Sequence, residues 1–335
     1  MALNNHQIDH YPWLKKAYHD LTLPLVHERA HHALLIKFIT GCGEDILIST
    51  LAMRLLCLAP KHNQPCQNCH SCQLFLADHH PDYYIIEPEK NKQSIGIDQI
   101  RQISQKIYER AQQGGNKVIW VKTASLMTDA AANALLKTLE EPPENTYFLL
   151  SDIDNGQLLP TIRSRCQFYF LTIPELDGSM IWLKSHIGTA QYTDNELATA
   201  LLLNRNAPLA ALALLHADQW QKRMHFSQNL QTYLSESDFW SLRDTFINDQ
   251  IFMLIDWFCS LLSDGLKATQ KSGRFIINRD QVPLVRMIAS FNSEKIIQLY
   301  HIWNETRQQL QMINGLNQEL MISNLLAQSE IILQS

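Results

Sequence analysis

The sequence predicts an α/β domain followed by an all-α region, and three patterns support this prediction. Short apolar runs of strand length alternate with helical segments up to residue 171. From Pro174 onward the patterns are helical only. A segment with four closely spaced cysteines interrupts the first region. Alternating strands and helices are typical of a parallel sheet that carries helices on its faces.

Five apolar runs are expected to form the sheet. A loop with two glycines follows the first run, and a helix is predicted from about Glu44. Between the second and third runs, Ile100, Ile103 and Ile107 recur at helical spacing and predict an amphipathic helix over 97–110. The runs lie at 33–36, 83–86, 118–121, 147–150 and 168–171.

The helix after the third run has signals at both ends. Thr128 is expected to cap it, because its hydroxyl can accept hydrogen bonds from the free amides of the first turn. Pro142 and Pro143 should end it, since proline has no amide donor and disfavours helix in the residue before it. Glu140 and Glu141 fall at its C-terminus, where the helix dipole disfavours negative charge. The sequence leaves open whether these carboxylates meet a partner or are solvated.

The all-α region is expected to contain a small helical domain at 174–214 and a helical bundle at 215–335. The run 251–262 is almost wholly apolar and should be buried. Ser293 is expected to cap a long helix. A last helix should follow Asn317 and turn three leucines inward, namely Leu320, Leu325 and Leu326.

Length and composition exclude several classes of protein. The chain has 335 residues, enough for two or three domains, and its 46% hydrophobic content argues against long disorder. With 28 basic and 33 acidic residues the net charge is −5. A negative net charge argues against a basic protein that binds nucleic acid on its own. Residues 1–16 show no apolar signal region, and Asp256 interrupts the best candidate for a membrane span. We therefore expect a cytoplasmic protein with no membrane partner, whose cysteines are reduced.

The cysteine segment has the spacing C-x8-C-x2-C-x2-C, which favours a metal site, because short turns between cysteines can aim several thiolates at one point. An iron–sulfur cluster would also use four cysteines, but no redox partner motif is visible, and a set of unliganded thiols is the remaining alternative. His62 and His70 are expected to be solvated loop residues. The sequence predicts a structural zinc site with four ligands: Cys57, Cys66, Cys69 and Cys72.

The stretch N-A-L-L-K-T-L-E-E-P-P at 133–143, followed by a strand and by S-R-C at 164–166, resembles the clamp-loader branch of the AAA+ ATPases. In that branch the arginine of S-R-C is an arginine finger that reaches ATP bound by a neighbouring subunit. Arg165 occupies this position. A guanidinium suits the role because phosphoryl transfer builds negative charge on the phosphate oxygens. The alternative is that Arg165 is an ordinary surface arginine at the start of a strand, without a functional role.

The loop after the first strand has the backbone pattern of a P-loop without its chemistry. When Gly43 is aligned with the glycine that precedes the P-loop lysine, Glu44 stands at the lysine and Asp45 at the Ser/Thr. Two carboxylates there would repel phosphate. The two loop glycines, Gly41 and Gly43, are then expected to serve only the tight turn.

Two further elements of the nucleotide site also differ from active members of the resembling family. Such members carry Asp-Glu just after the third strand, where this chain has Lys122 and Thr123. Leu209 stands where their lid helix carries an arginine, and Arg205 lies nearby but out of register. The resemblance therefore implies a subunit that neither binds nor hydrolyses ATP.

The zinc segment, the altered P-loop and the intact S-R-C together resemble the non-hydrolysing subunit of bacterial DNA polymerase III clamp loaders. The resemblance implies an AAA+ domain at 1–173 with its zinc module at 57–72, a lid at 174–214 and an oligomerisation collar at 215–335. It implies a pentamer with ATPase subunits of the γ/τ type and a δ subunit, which acts on a sliding clamp and primer–template DNA. The chain would be no enzyme by itself but an accessory subunit of a DNA-directed DNA polymerase, a nucleotidyltransferase.

Two other interpretations remain open. An active ATPase would require a cation at Glu44 or Asp45 and an acid at Lys122 or Thr123. The other is a zinc-containing AAA+-like scaffold, or a nucleic-acid-binding regulator, without a finger role. A regulator predicts basic and aromatic residues around the cysteines, where the segment offers only Lys61 and two histidines.

Overall fold

The chain folds into two compact units, 1–174 and 175–335, which are described separately. The first ends one residue after the predicted limit of the α/β domain, and the division of the second into lid and collar remains a prediction. The structure, a computed structural model, describes residues 8–27, 29–90, 92–187, 191–216, 218–236, 238–246, 250–313 and 315–334.

The first unit is built on a five-stranded sheet with the order β2-β3-β4-β1-β5, and all of its strand pairs are parallel. This confirms the predicted fold class. β1 lies between β4 and β5, so that Leu35 is level with Leu150 and Phe168. The strands are β1 (Ala33–Phe38), β2 (Tyr83–Ile86), β3 (Lys117–Val121), β4 (Thr146–Ile153) and β5 (Gln167–Phe170).

Helices joined by loops cover the sheet of the first unit. The hydroxyl of Thr128 accepts a hydrogen bond from the amide of Ala131, as the sequence predicts. Leu135 and Leu139 of the same helix are buried in the core beside Phe148 of β4. The helices are α1 (Pro12–Val26), α2 (Glu44–Leu56), α3 (His70–Leu76), α4 (Ile97–Ile107), α5 (Asp129–Glu140) and α6 (Pro160–Arg163).

The second unit is helical over its described residues. In its bundle, α12 packs against α13 and α14, and α14 packs against α15. The helices are α7 (Leu176–His186), α8 (Asp194–Leu203), α9 (Pro208–His216), α10 (Gln219–Glu236), α11 (Arg243–Phe246), α12 (Ile251–Thr269), α13 (Val282–Ala289), α14 (Ser293–Met312) and α15 (Gln318–Gln334).

Four local expectations are wrong in detail. The cap of α14 is Asn292, whose side chain accepts from the amide of Glu294, because the helix begins one residue earlier than a Ser293 cap requires. Leu320 is 67% exposed in the first turn of α15, and Phe252 is exposed in the apolar run of α12. The helix predicted over 97–110 ends earlier, at Ile107.

No single helix in the described ranges has the length and apolar character to cross a membrane. Only the bent pair α8 and α9, taken together, meets those two criteria.

Candidate functional site

Arg165 lies at the amino-terminal edge of the parallel sheet. It stands two residues before Gln167, whose partner on β1 is Leu34. The P-loop-like turn follows Phe38 and therefore lies at the carboxyl-terminal edge. At about 3.3 Å per residue along a strand, roughly 20 Å separates the two edges. Arg165 is thus remote from the turn between β1 and α2 of its own chain.

The guanidinium of Arg165 is held in one orientation by three neighbours. Its Nε donates to Oε1 of Glu140 over 2.6 Å, and Nη2 forms an ion pair with the same oxygen. Nη1 donates to the carbonyl of Thr161 at 3.0 Å and to Oγ of Ser164 at 3.3 Å. The Arg165 side chain is 33% exposed, so its charge remains within reach of a docking partner.

The turn between β1 and α2, where the sequence predicts an altered P-loop, contains two glycines with positive φ and a carboxylate that folds back onto it. Gly41 and Gly43 have φ angles of 85° and 90°, which only glycine adopts readily. The Glu44 side chain folds back so that Oε1 accepts from the amide of Gly41 at 3.3 Å. Glu44 and Asp45 also place negative charge in the first turn of α2, where the helix dipole favours it. The Trp13 indole closes the turn further by donating to the carbonyl of Cys42 at 2.7 Å.

This placement predicts an unusual effect of substituting Glu44. Burial raises the pKa of its carboxyl, although the amides of Glu44, Gly41 and Gly43 oppose the rise. Above this raised pKa the Glu44 carboxylate is charged in the folded state, and its burial lowers the free energy of unfolding. Below the ordinary carboxyl pKa near ~4.3 the group is protonated in both the folded and the unfolded state, and this destabilisation vanishes. We expect Glu44→Gln to raise Tm by about 1–3 °C at pH 7–8, with the gain fading towards pH ~4.

Asp45→Asn is the matched control, because it removes the same charge from an exposed neighbour. Thermal unfolding followed by circular dichroism at both pH values measures the difference. A loss of stability in Glu44→Gln at pH 7 would mean that the amides bind a charged carboxylate with net gain.

Lys122 and Thr123 follow β3 at the edge where magnesium-binding acids would stand. Lys122 forms an ion pair with Glu87 at 3.5 Å, and its ammonium lies 4.7 Å from the centre of the Trp120 ring. Thr123 adopts a left-handed φ of 53°. At these two positions the chain presents a cation and a hydroxyl, neither of which is a carboxylate ligand for a divalent cation.

A buried ion pair lies at the same edge of the sheet, between register partners on β1 and β4. The ammonium of Lys37 is 2.8 Å from Oδ2 of Asp152, and it donates to the carbonyls of Ile153 at 2.9 Å and Gly156 at 2.7 Å. Oδ1 of Asp152 accepts from the amide and the hydroxyl of Ser125. The pair therefore joins both strands to the turn after β3 and to the loop that leads towards α6.

The four cysteines predicted as metal ligands meet at one point. Their sulfur atoms all lie within 4.8 Å of one another. Sγ of Cys57 is 4.0 Å from that of Cys69, and Sγ of Cys66 is 4.0 Å from that of Cys72. Tetrahedral zinc with bonds of about 2.3 Å would set its sulfurs about 3.8 Å apart. The donor set and its spacing therefore fit a zinc ion with four thiolate ligands.

Backbone amides also favour thiolates in this cluster. The amide of Cys66 donates to Sγ of Cys57 at 3.2 Å, and that of Cys69 donates to Sγ of Cys66 at 3.3 Å. The amides of Asn68 and Cys69 lower the pKa of Cys66 to about 6, whereas burial raises the pKa of Cys57 and of Cys72. A dication at the centre would favour the ionised form of all four thiols. His62 and His70 are both exposed, but His70 is the first residue of α3 and not a loop residue.

A hydrogen-bonded chain attaches the cysteine module to the sheet. Nδ1 of His80 accepts from the amide of Asp82, so the ring carries its proton on Nε2, which lies 2.8 Å from Oγ of Ser71. Ser71 in turn donates to the carbonyl of Leu56. Because this serine hydroxyl is a donor to a carbonyl and not to the imidazole, the pair is a structural link between α2, α3 and the start of β2.

Sequence reasoning missed the partners of two charged groups. The sequence leaves open whether Glu140 meets a partner, and its unfavourable place at a helix end is the available signal for its pairing with Arg165. Lys37 and Asp152 were not singled out, although a lysine and an aspartate inside otherwise apolar strands indicate a buried pair.

Comparison with family models gives two matches that together span most of the chain. A model described as "DNA polymerase III, delta subunit" matches residues 13–175. A model of the C-terminal part of the same subunit, described as "DNA polymerase III, delta subunit, C terminal", matches residues 217–330.

Comparison with curated proteins finds relatives over nearly the full length. The chain is 42% identical over 328 residues to DNA polymerase III subunit delta′ of Yersinia pestis, covering 97% of this chain and 96% of that protein. It is 40% identical over 329 residues to the delta′ subunit of Escherichia coli K12, again with 97% and 96% covered. It is 33% identical over 149 residues to DNA polymerase III subunit gamma/tau of Mycobacterium bovis, covering 44% of this chain and 26% of that protein.

Proposed function

Because the chain belongs to the family of delta′ subunits of DNA polymerase III, accessory subunits of the clamp loader, we propose that it supplies Arg165 as an arginine finger to a neighbouring subunit. In this proposal the guanidinium neutralises charge on the transferring phosphoryl group of ATP held by that neighbour. Hydrolysis next door then depends on correct docking of this chain.

The position of Arg165 in the sheet is the observation that carries the proposal. The arginine stands at the amino-terminal edge, opposite the P-loop-like turn after Phe38. A side chain of arginine length cannot cross that distance, so Arg165 can meet a triphosphate only if another chain holds it. Its partial exposure and its oriented guanidinium suit such a contact.

In the same proposal, this subunit does not hydrolyse ATP itself. Glu44 takes amide donors that a P-loop offers to phosphate, and it adds negative charge where the P-loop lysine would add positive charge. Lys122 and Thr123 provide no carboxylate for magnesium. Active members of the resembling family carry an arginine where this chain has Leu209, near the start of α9. A third contact to nucleotide is therefore also missing.

We further propose that the cysteine module binds one zinc ion with a structural role. Four protein thiolates fill a tetrahedral site and leave no position for a reactive water, so the ion would stabilise the fold of the segment around α3. The chain's own residues supply all four ligands, together with the amides that stabilise them.

Metal analysis tests the zinc proposal. The purified chain should contain about one zinc per molecule, and Cys69→Ser should lower that content below about a tenth and reduce Tm, since three ligands hold zinc far less tightly. Cys259→Ser, which removes a cysteine from α12 in the other unit, should change neither value. Full zinc content in Cys69→Ser would contradict the assignment of the ligands.

The proposed assembly is a pentamer with ATPase subunits of the γ/τ type and a δ subunit. ATP binding would assemble the state that opens the sliding clamp, and hydrolysis at primer–template DNA would release the clamp. The helical unit contributes the proposed lid and the collar through which the pentamer assembles. Because the proposed role is in DNA replication, we also propose a cytoplasmic location, as the sequence predicts.

The test of the finger is ATP hydrolysis by the reconstituted complex with Arg165→Ala in this chain. We expect slower hydrolysis at primed DNA while the complex still assembles. Unchanged hydrolysis would favour a scaffold without a finger.

A further inference from the structure

The contact between Glu140 and Arg165 has a feature that a chance surface ion pair would not require. One carboxylate oxygen, Oε1 of Glu140, meets both Nε and Nη2 of the guanidinium. The opposite nitrogen, Nη1, is held by the Thr161 carbonyl and the Ser164 hydroxyl. The guanidinium is therefore fixed from two sides, and its plane cannot rotate without breaking one of the two sets of contacts.

These contacts leave donor capacity for an incoming anion. A guanidinium has five N–H groups. The contacts among the described residues use at most four of them: one on Nε, one on Nη2 and two on Nη1. An N–H of Nη2 thus stays available, in a side chain that is 33% exposed.

The placement of Glu140 also needs an explanation that its helix does not supply. It is the last residue of α5, and a carboxylate at a helix C-terminus meets the negative end of the helix dipole. The carbonyl of Leu139 beside it is bound by the His32 ring at 2.8 Å, which attaches this helix end to the start of β1. Glu140 therefore stands on a fixed base, next to the edge where Arg165 emerges.

We propose that Glu140 is a positioning residue for the arginine finger. It fixes one side of the Arg165 guanidinium in the free subunit, so that the remaining donor is already oriented when a neighbouring triphosphate docks. This inference rests on the proposed function of Arg165. Its physical basis is that arginine has several rotatable bonds, and a side chain fixed before docking loses less freedom in the transition state.

The test uses the reconstituted complex with primed DNA and ATP. The part of the hydrolysis rate that Arg165→Ala removes defines the finger-dependent rate. Glu140→Ala should lower this part about five- to tenfold with the KM for ATP unchanged. Glu140→Gln should stay within about twofold of the unchanged chain, because a single acceptor oxygen makes both contacts and glutamine retains one. Glu141→Ala, an exposed neighbour, is the control for charge.

A double variant separates a positioning role from a general effect on folding. Glu140→Ala should have no further effect on hydrolysis when Arg165→Ala is already present, since it acts through that arginine. A further loss in the double variant would overturn the proposal. So would a rate in Glu140→Ala equal to that of the unchanged chain, or an increase in rate, which would mean that Glu140 holds the finger away from its target.

A second measurement needs no hydrolysis. In the free chain with nitrogen-15-labelled arginine, Glu140→Ala should accelerate hydrogen exchange at Nε of Arg165, and Glu140→Gln should not. Unchanged exchange in Glu140→Ala would show that the contact is absent in solution and would overturn the inference. If exchange accelerates but Arg165→Ala leaves hydrolysis unchanged, the contact exists and the proposed finger function fails instead.

Discussion

Complexes that carry Arg165→Ala in this chain should hydrolyse ATP more slowly at primed DNA and load the clamp less efficiently. An arginine finger contributes about 10³–10⁵ in rate at the site it serves, because its charge neutralises the phosphoryl oxygens in the transition state. The other ATP sites of the complex keep working, so the bulk rate should fall by less than this. Single-turnover hydrolysis, which resolves slow from fast sites, should show one slow class per complex.

Arg163→Ala is the matched control for this experiment. Arg163 lies two residues away, is exposed, and places its guanidinium carbon 5.1 Å from the centre of the Phe168 ring, so its removal takes away the same charge from the same edge. Size-exclusion chromatography should show intact complexes for both variants. If Arg165→Ala complexes are intact and hydrolyse ATP at the normal rate, Arg165 is a structural arginine and the chain is a scaffold.

Local chemistry explains why much of the first unit could be predicted from sequence. The strand runs, the Thr128 cap and the cysteine spacing depend on neighbours in the chain, and the structure agrees with each. Competition between adjacent residues explains one error. Asn292 and Ser293 can both cap a helix, and the choice depends on where α14 begins.

The pairs that matter most at the candidate site depend on the order of the strands. Glu140 meets Arg165 because α5 ends at the sheet edge where β5 begins, and Lys37 meets Asp152 because β1 lies beside β4. Neither adjacency follows from composition or spacing along the chain. Single charged residues within apolar strands predict that a partner exists, but only the topology identifies it.

The Lys37–Asp152 pair should have a large effect on stability. Asp152 is fully buried, and Lys37 is 13% exposed, so Lys37→Met would leave a carboxylate without its cation and two carbonyls without a donor. Removing one partner of a buried pair costs about 3–5 kcal/mol in the free energy of unfolding. Because the same ammonium holds the loop after β4, we expect amides around residues 153–156 to exchange hydrogen faster as well.

Denaturant unfolding of the full chain, compared with an exposed control substitution, Lys16→Met, measures this loss. The double variant Lys37→Met with Asp152→Asn should recover most of the stability. The amide has no charge to desolvate, and it retains an oxygen for the Ser125 donors. A loss below about 1 kcal/mol in Lys37→Met would be typical of a surface pair and would mean that water reaches Asp152. Equal losses of stability in the single and double variants would instead mean that the charge of Asp152 is not the cause. The loss would then come from the carbonyls of Ile153 and Gly156, which lose their lysine donor in both variants.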